Sequence, residues 1–194
     1  MTTQHPEELK TEYFNLANFL TSVRIILIPF FIYFLLQAET QKAFYIFLLA
    51  GLTDILDGTA ARILHQRSKL GTLLDPAADK LLMASAYILL GLPSLNMSNI
   101  LPLWLIIIVV TRDVMIVITA LILHRLKGVK HFRPSLLGKA TTVSQVVVIT
   151  LVLFCNILQS TPSFLNWLYL LTFGLTFCSG IGYALRWKHL LFSK

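Results

Sequence analysis

Apolar residues fill six long stretches of this chain, and polar residues are concentrated in the short segments between them. A helix that spans a bilayer needs about 20 mainly apolar residues, which each stretch supplies. Backbone groups in hydrocarbon must bond internally, and the stretches lack the alternation of barrel strands. We therefore predict an all-α integral membrane fold with six transmembrane helices, at about 19–37, 43–64, 70–92, 100–123, 136–158 and 163–185.

The segment before the first stretch has a mixed pattern. Residues 6–17 (PEELKTEYFNLA) combine charged with apolar side chains, which is typical of a short helix at the membrane interface. No basic region leads into a short apolar stretch, so we expect no cleavable signal peptide. Because the connections are short, the pattern predicts one membrane domain over 1–194.

Composition also favours lipid as the solvent. The chain is 56% hydrophobic and 13% charged, whereas a soluble domain carries about 25% charged residues. Its mean hydropathy is +0.75. In water, such a chain would leave large apolar areas exposed.

The basic residues predict an orientation. With the N-terminus inside, 13 of the 16 Lys and Arg residues lie at the cytoplasmic side, and by the positive-inside rule both termini are cytoplasmic. These thirteen residues form a basic rim on the cytoplasmic side: Lys10, Arg24, Arg62, Arg67, Lys69, Arg125, Lys127, Lys130, Arg133, Lys139, Arg186, Lys188 and Lys194. The net charge of +7 then suits anionic membrane lipids. No module for reading bases accompanies it, so nucleic acid is not an expected partner. We predict a multi-pass protein of the inner (cytoplasmic) membrane.

Five carboxylates fall within apolar stretches, where each costs about 2.5–3.5 kcal/mol on insertion scales. They are Asp54, Asp57, Asp75, Asp79 and Asp113. Asp54 and Asp57 are three residues apart, and Asp75 and Asp79 are four apart, so each pair lies on one helix face. The polar segment 62–69 (RILHQRSK) turns the chain between the two helices. We therefore expect the two pairs to meet in the inner leaflet.

Four carboxylates at such close range require protons or cations between them. His and Cys are absent from the cluster, so Mg²⁺ or Mn²⁺, which prefer oxygen ligands, fit best. Two such ions can clamp both sides of a phosphorus centre that undergoes displacement. Two weaker interpretations are structural salt bridges with Arg62, Lys80 and Arg112, and a proton or cation transporter.

The residues around these acids form one spaced pattern. It reads Asp54-x₂-Asp57-Gly58-x₂-Ala61-Arg62-x₈-Gly71-x₃-Asp75-x₃-Asp79. At every fixed position it resembles the signature of the CDP-alcohol phosphatidyltransferase family. The resemblance implies the family's six-helix fold, a homodimer, and transfer of a phosphatidyl group from CDP-diacylglycerol to an alcohol with release of CMP.

The same resemblance implies roles for the acids. Asp54, Asp57 and Asp75 resemble the family's metal ligands. Asp79 resembles the general base near the second metal, which would take the proton from the acceptor hydroxyl. The active site is then expected to face the cytoplasm.

Four further motif residues are candidates for binding the cytidine diphosphate group. Gly58, Ala61 and Gly71 remove side-chain bulk, so a ligand can approach the backbone. Close helix packing by small residues is the alternative. Arg62 offers a permanently charged, forked donor to the diphosphate, with snorkelling to the headgroups as its alternative.

Two basic residues in later helices bear on the acceptor. If Arg112 and Lys139 face the acids, they can hold the phosphate of an anionic acceptor. An ion pair of Arg112 with Asp113 or Asp79 is an equally good interpretation. These two residues therefore leave the identity of the acceptor open.

Two segments resemble different branches of the family. The opening 15–31 (NLANFLTSVRIILIPFF), with Asn18, Thr21, Arg24 and Pro29, resembles phosphatidylglycerophosphate synthases. The run TRDVM (111–115) also resembles CMP-forming cardiolipin synthases, whose acceptor is phosphatidylglycerol. The sequence favours glycerol 3-phosphate, with phosphatidylglycerol as the alternative.

Overall fold

The computed structural model describes the backbone of residues 16–63, 69–127 and 136–192, and the side chains of 21–54, 77–118 and 136–183. The described residues form six long α-helices and no strand, which confirms the all-α class. The helices are α1 Leu16–Leu36, α2 Thr40–Ile63, α3 Lys69–Leu90, α4 Leu103–Lys127, α5 Leu136–Ile157 and α6 Phe164–Phe192. A short 3₁₀ turn, Pro93–Leu95, precedes α4. The predicted interfacial helix over 6–17 lies outside the described residues, except for its last two, which belong to α1.

Each helix coincides with one predicted apolar stretch, and two of the boundary differences have local causes. The fourth helix begins at Leu103 because Pro102 stands just before it. The Pro102 carbonyl accepts hydrogen bonds from the backbone amides of Leu105 and Ile106. The sixth extends to Phe192 rather than 185, because no Gly or Pro follows Gly182.

Within the part of the chain that the structure describes, two helices are long and apolar enough to cross a membrane. They are Leu136–Ile157 and Phe164–Tyr183, with mean hydropathies of 1.9 and 1.4. A shorter apolar stretch, Thr21–Leu36, lies in α1. Six membrane spans therefore stay a prediction.

Large apolar side chains lie on the outer surface of several helices. Ile26 and Phe30 of α1 are 57% and 51% exposed, and Trp167 and Leu171 of α6 are 76% and 57% exposed. Soluble monomers rarely expose extended apolar patches. These apolar side chains, within each unit, suit contact with lipid.

The chain divides into two compact units, Met1–Leu89 and Leu90–Lys194. In the first unit, α1 and α2 pack against each other along a seam of buried residues spaced three and four apart. The seam comprises Ile28, Phe31 and Leu35 on α1 and Ala43, Phe47 and Ala50 on α2. The Phe31 and Phe47 rings meet with centroids 5.9 Å apart. The small alanines of α2 allow the two backbones to approach closely.

In the second unit, α6 packs against both α4 and α5, and two asparagines bind the loop before α4 to the end of α5. The backbone amide of Asn99 donates to Asn156 Oδ1 at 2.6 Å, and Asn156 Nδ2 donates back to the Asn99 carbonyl at 3.0 Å. Asn99 Nδ2 also donates to the Ser160 carbonyl at 2.7 Å. The pair thus satisfies both backbone groups of a buried residue.

Replacing Asn156 by Ala is expected to lower the stability of the protein by about 1–3 kcal/mol, because the buried amide and carbonyl of Asn99 lose their partner. Thermal unfolding of the detergent-solubilised protein measures this as a lower Tm. Asn166→Ala is the matched control, because Asn166 is exposed at the start of α6. Equal Tm values for the two variants would contradict the prediction.

Candidate active site

The first acid of the motif, Asp54, lies on α2 and forms an ion pair with Arg24 of α1. Arg24 Nη2 and Asp54 Oδ1 are 2.9 Å apart. The Arg24 side chain is 1% exposed, whereas the Asp54 side chain is 54% exposed. The pair therefore holds a carboxylate at the surface by means of a cation beneath it.

The packing of α1 on α2 sets this contact. Arg24 comes seven residues before Phe31, and Asp54 comes seven residues after Phe47, so the ion pair and the aromatic pair follow one antiparallel register. Seven residues are about two helical turns, which return a side chain to the same face. The apolar seam therefore determines which α2 residue meets Arg24.

The other acids of the motif lie on the helices that the sequence predicts for them. α2 continues unbroken through Asp54 and Asp57, and α3 continues through Asp75 and Asp79. The side chain of Asp79 is half-buried. The side chains of Asp57 and Asp75 lie outside the described residues, so the meeting of the two acidic pairs stays a prediction.

The four candidate residues for the cytidine diphosphate lie in the same two helices. Gly58, Ala61 and Arg62 belong to the last turns of α2, and Gly71 belongs to the first turn of α3. Their surroundings lie outside the described residues. Their roles stay predictions on the motif alone.

The chemistry of the acids fits a hard divalent ion. Asp54 presents carboxylate oxygen at the surface, the ligand type that Mg²⁺ and Mn²⁺ prefer. Among the side chains that the structure describes, no three of His, Cys, Asp and Glu converge as metal ligands. The side chains of Asp57 and Asp75 are not among these, so the two-metal site stays a prediction.

Arg112 of α4 is buried and takes part in a polar network within the second unit. Its Nη1 donates to Asp113 Oδ1 at 2.7 Å, and its Nη2 donates to Ser179 Oγ at 3.1 Å and to the Gly138 carbonyl at 3.4 Å. Its guanidinium also lies 5.7 Å from the centre of the Tyr183 ring. The sequence leaves open whether Arg112 pairs with an acid or faces the acceptor. The structure contains the ion pair with Asp113.

The second candidate for acceptor binding, Lys139, lies on α5 next to Gly138, and its side chain is exposed. Lys139 is therefore accessible to an anion, while Arg112 is enclosed among Asp113, Ser179 and Tyr183. Binding of an acceptor phosphate by these two residues stays a prediction.

Arg24 was not among the site residues that the sequence predicts. Its position suggested a cation of the cytoplasmic rim, and the structure instead buries it beside Asp54. One signal in the sequence points to this outcome. α1 contains no acidic residue, so an arginine buried in this helix must find its counter-charge on another helix.

Comparison with known families identifies the family of this chain. Residues 14–178 match the model of the CDP-alcohol phosphatidyltransferase family. The chain belongs to this family. The match includes the whole acidic motif and covers most of both compact units.

The chain is similar to several named members of the CDP-alcohol phosphatidyltransferase family. A Mycobacterium tuberculosis protein with the provisional name cardiolipin synthase is 36% identical over 134 residues, 69% of this chain and 61% of the relative. The cardiolipin synthase (CMP-forming) of Streptomyces coelicolor is 35% identical over 148 residues, 73% of this chain and 66% of the relative. The CDP-diacylglycerol–glycerol-3-phosphate 3-phosphatidyltransferase of Haemophilus influenzae is 42% identical over 80 residues, 40% of this chain and 43% of the relative. The chain thus spans less than two thirds of the length of these relatives.

Proposed function

We propose that this protein transfers a phosphatidyl group from CDP-diacylglycerol to an alcohol and releases CMP. The observation that carries the proposal is the complete acidic motif inside a family match over 14–178. The geometry of Asp54 supports it, because a surface carboxylate fixed by a buried cation suits a site for ions and diphosphate.

The four acids would hold two divalent ions, Mg²⁺ or Mn²⁺, with Asp54, Asp57 and Asp75 as ligands and Asp79 near the second ion. When bound, these ions supply positive charge that offsets the charge of the diphosphate. The protein residues orient the donor and move the proton. Arg62 would pair with the diphosphate, and Gly58, Ala61 and Gly71 would leave room for the cytidine diphosphate group.

The reaction is an in-line displacement at the β-phosphorus of CDP-diacylglycerol. Asp79 takes the proton from the acceptor hydroxyl, and the hydroxyl oxygen forms a bond to the β-phosphorus. The bond from this phosphorus to the bridging oxygen breaks, and its electron pair leaves with CMP. No Ser, Cys or His stands at a fixed position of the motif, so we expect no covalent enzyme intermediate.

For the acceptor we propose phosphatidylglycerol, with glycerol 3-phosphate as the second candidate. The first is favoured by the longer matches, since the relatives named cardiolipin synthase align over 69% and 73% of this chain. The second is favoured by the 42% identity to the Haemophilus influenzae enzyme over 80 residues, and by the resemblance of residues 15–31. The order is thus the reverse of that favoured by the sequence.

We further propose that the protein is a homodimer that spans the inner membrane several times with its active site towards the cytoplasm. The two apolar helices, the apolar outer surface and the basic rim support this placement. The family resemblance supports the dimer.

The proposed function is tested by measuring CMP release from CDP-diacylglycerol by the purified protein with Mg²⁺ or Mn²⁺. Phosphatidylglycerol and glycerol 3-phosphate are supplied separately, and radiolabel in the acceptor identifies the lipid product. We expect CMP release that depends on the acceptor, with the faster rate for phosphatidylglycerol. A faster rate with glycerol 3-phosphate would select the second candidate. No CMP release with any alcohol, together with cation flux into sealed vesicles, would replace the enzyme by a transporter.

A further inference from the structure

We propose that Arg24 is a positioning residue for the acidic site, which fixes the Asp54 carboxylate in the orientation in which it binds a divalent ion. The inference rests on the proposed function for the identity of the ion site. It is carried by the juxtaposition of a buried guanidinium on α1 and an exposed motif carboxylate on α2, 2.9 Å apart.

The two sides of this ion pair differ sharply in burial, which sets it apart from an ordinary surface salt bridge. In the Lys42–Glu39 pair at the turn between α1 and α2, both side chains are exposed, at 61% and 41%. In the Arg24–Asp54 pair, the cation is 1% exposed and the anion 54%. A buried arginine is costly unless it is paired, and α1 offers no acid of its own. The chain thus buries a positive charge at the position where α1 contacts the motif residue Asp54.

The same burial indicates that Arg24 acts through Asp54 rather than on the substrate. A guanidinium that is 1% exposed does not reach a diphosphate without a rearrangement of α1. Asp54, in contrast, keeps more than half of its side chain accessible while Oδ1 is held. A carboxylate has two oxygens and accepts several interactions, so pairing at one oxygen leaves capacity for a cation.

Carboxylates that bind metals are themselves commonly held by outer partners, which set their orientation and affinity. Arginine suits this task because its guanidinium is planar and permanently charged. The seam centred on Phe31 and Phe47 fixes the register that brings Arg24 to Asp54. Arg24 therefore extends the ion site to a helix that carries no motif residue.

The test measures the affinity of the substrate-free, full-length protein for Mn²⁺ in detergent, by following free Mn²⁺ with electron paramagnetic resonance. We expect Arg24→Gln to weaken Mn²⁺ binding about 10–100-fold, the usual effect of losing an outer partner. Arg24→Lys keeps the charge and should lose less affinity. Lys42→Gln is the matched control, because it makes the same change from cation to amide in an ion pair outside the site, and it should leave Mn²⁺ affinity unchanged.

A second set of measurements isolates the route through Asp54. In an Asp54→Asn background, Arg24→Gln and Arg24→Lys should cause no further loss of Mn²⁺ affinity. The Arg24→Lys comparison alone suffices if Arg24→Gln does not fold. Wild-type or tighter Mn²⁺ binding by the Arg24 variants, or an equal loss in both backgrounds, would overturn the inference.

Parallel assays of CMP release separate this inference from the proposed function. Active wild-type protein together with normal Mn²⁺ affinity in the Arg24 variants refutes the positioning role alone. A wild-type protein that binds Mn²⁺ through Asp54 and Arg24 but releases no CMP refutes the proposed function and leaves the positioning role standing.

Discussion

Replacing Asp57 by Asn is expected to reduce CMP release by about a thousandfold or more while the protein stays folded. Asp57 is one of the three proposed ligands of the ions, and a divalent ion supplies several kcal/mol of charge stabilisation in the transition state. Each 1.36 kcal/mol corresponds to a factor of ten in rate, so the loss of a ligand has an effect of this order. The measurement is the initial rate of CMP release at saturating CDP-diacylglycerol and acceptor.

Glu39→Gln provides the matched control for this substitution, since it makes the same change from acid to amide outside the site. Glu39 lies at the turn between α1 and α2 and pairs with Lys42. The control is expected to keep wild-type activity, and both variants should keep the elution profile of the wild type in size-exclusion chromatography. Comparable CMP release by Asp57→Asn and Glu39→Gln would show that the motif acids serve structure alone.

Removal of divalent ions is the second change with a large expected effect. Treatment with EDTA should abolish CMP release, because the proposed site needs cations between its four carboxylates if these are to act together on a diphosphate. Addition of excess Mg²⁺ or Mn²⁺ should restore it, whereas Ca²⁺, with its larger and less regular coordination, should restore less. EDTA already saturated with Mg²⁺ serves as the control and should leave the rate unchanged.

Persistent CMP release at a large excess of EDTA would contradict the proposed two-ion chemistry. Measuring Tm in the same samples distinguishes a structural role of the ions from a role in the reaction. A rate that falls only as the protein unfolds would assign the ions a structural role, whereas a rate that falls at constant Tm assigns them to the reaction.

The helices of this protein could be predicted from local sequence patterns. An apolar stretch of about 20 residues carries enough information to predict a helix, because its residues meet the same apolar surroundings wherever the helix packs. Pro102 and the lack of helix breakers after Gly182 account for the shifts at the start of α4 and the end of α6. Those shifts are also local effects, because they depend on residues next to the helix ends.

The candidate site was predictable to the extent that it is local. The spacing of Asp54 and Asp57 needs only one unbroken helix, and α2 is unbroken through both. The family membership, predicted from the motif, is confirmed by the match over 14–178. The burial of Arg24 and its choice of Asp54 were not predicted, because they depend on the register between two helices.

Arg112 illustrates the same division within the second unit. That a charge in an apolar helix needs partners follows from its sequence position. Its partners include a neighbour in the chain, Asp113, and also Ser179, which is 67 residues away. The distant partner depends on the packing of α6 against α4.

The order of apolar and polar residues was sufficient to define the helices, the basic rim and the acidic motif, because each depends on neighbours along the chain. Tertiary packing decided which opposite charge Arg24 meets, and which distant hydroxyl Arg112 meets. The physical reason is that a buried ion pair requires two side chains within about 4 Å across a helix interface. A shift of one residue in the α1–α2 register would move Asp54 off the face that meets Arg24.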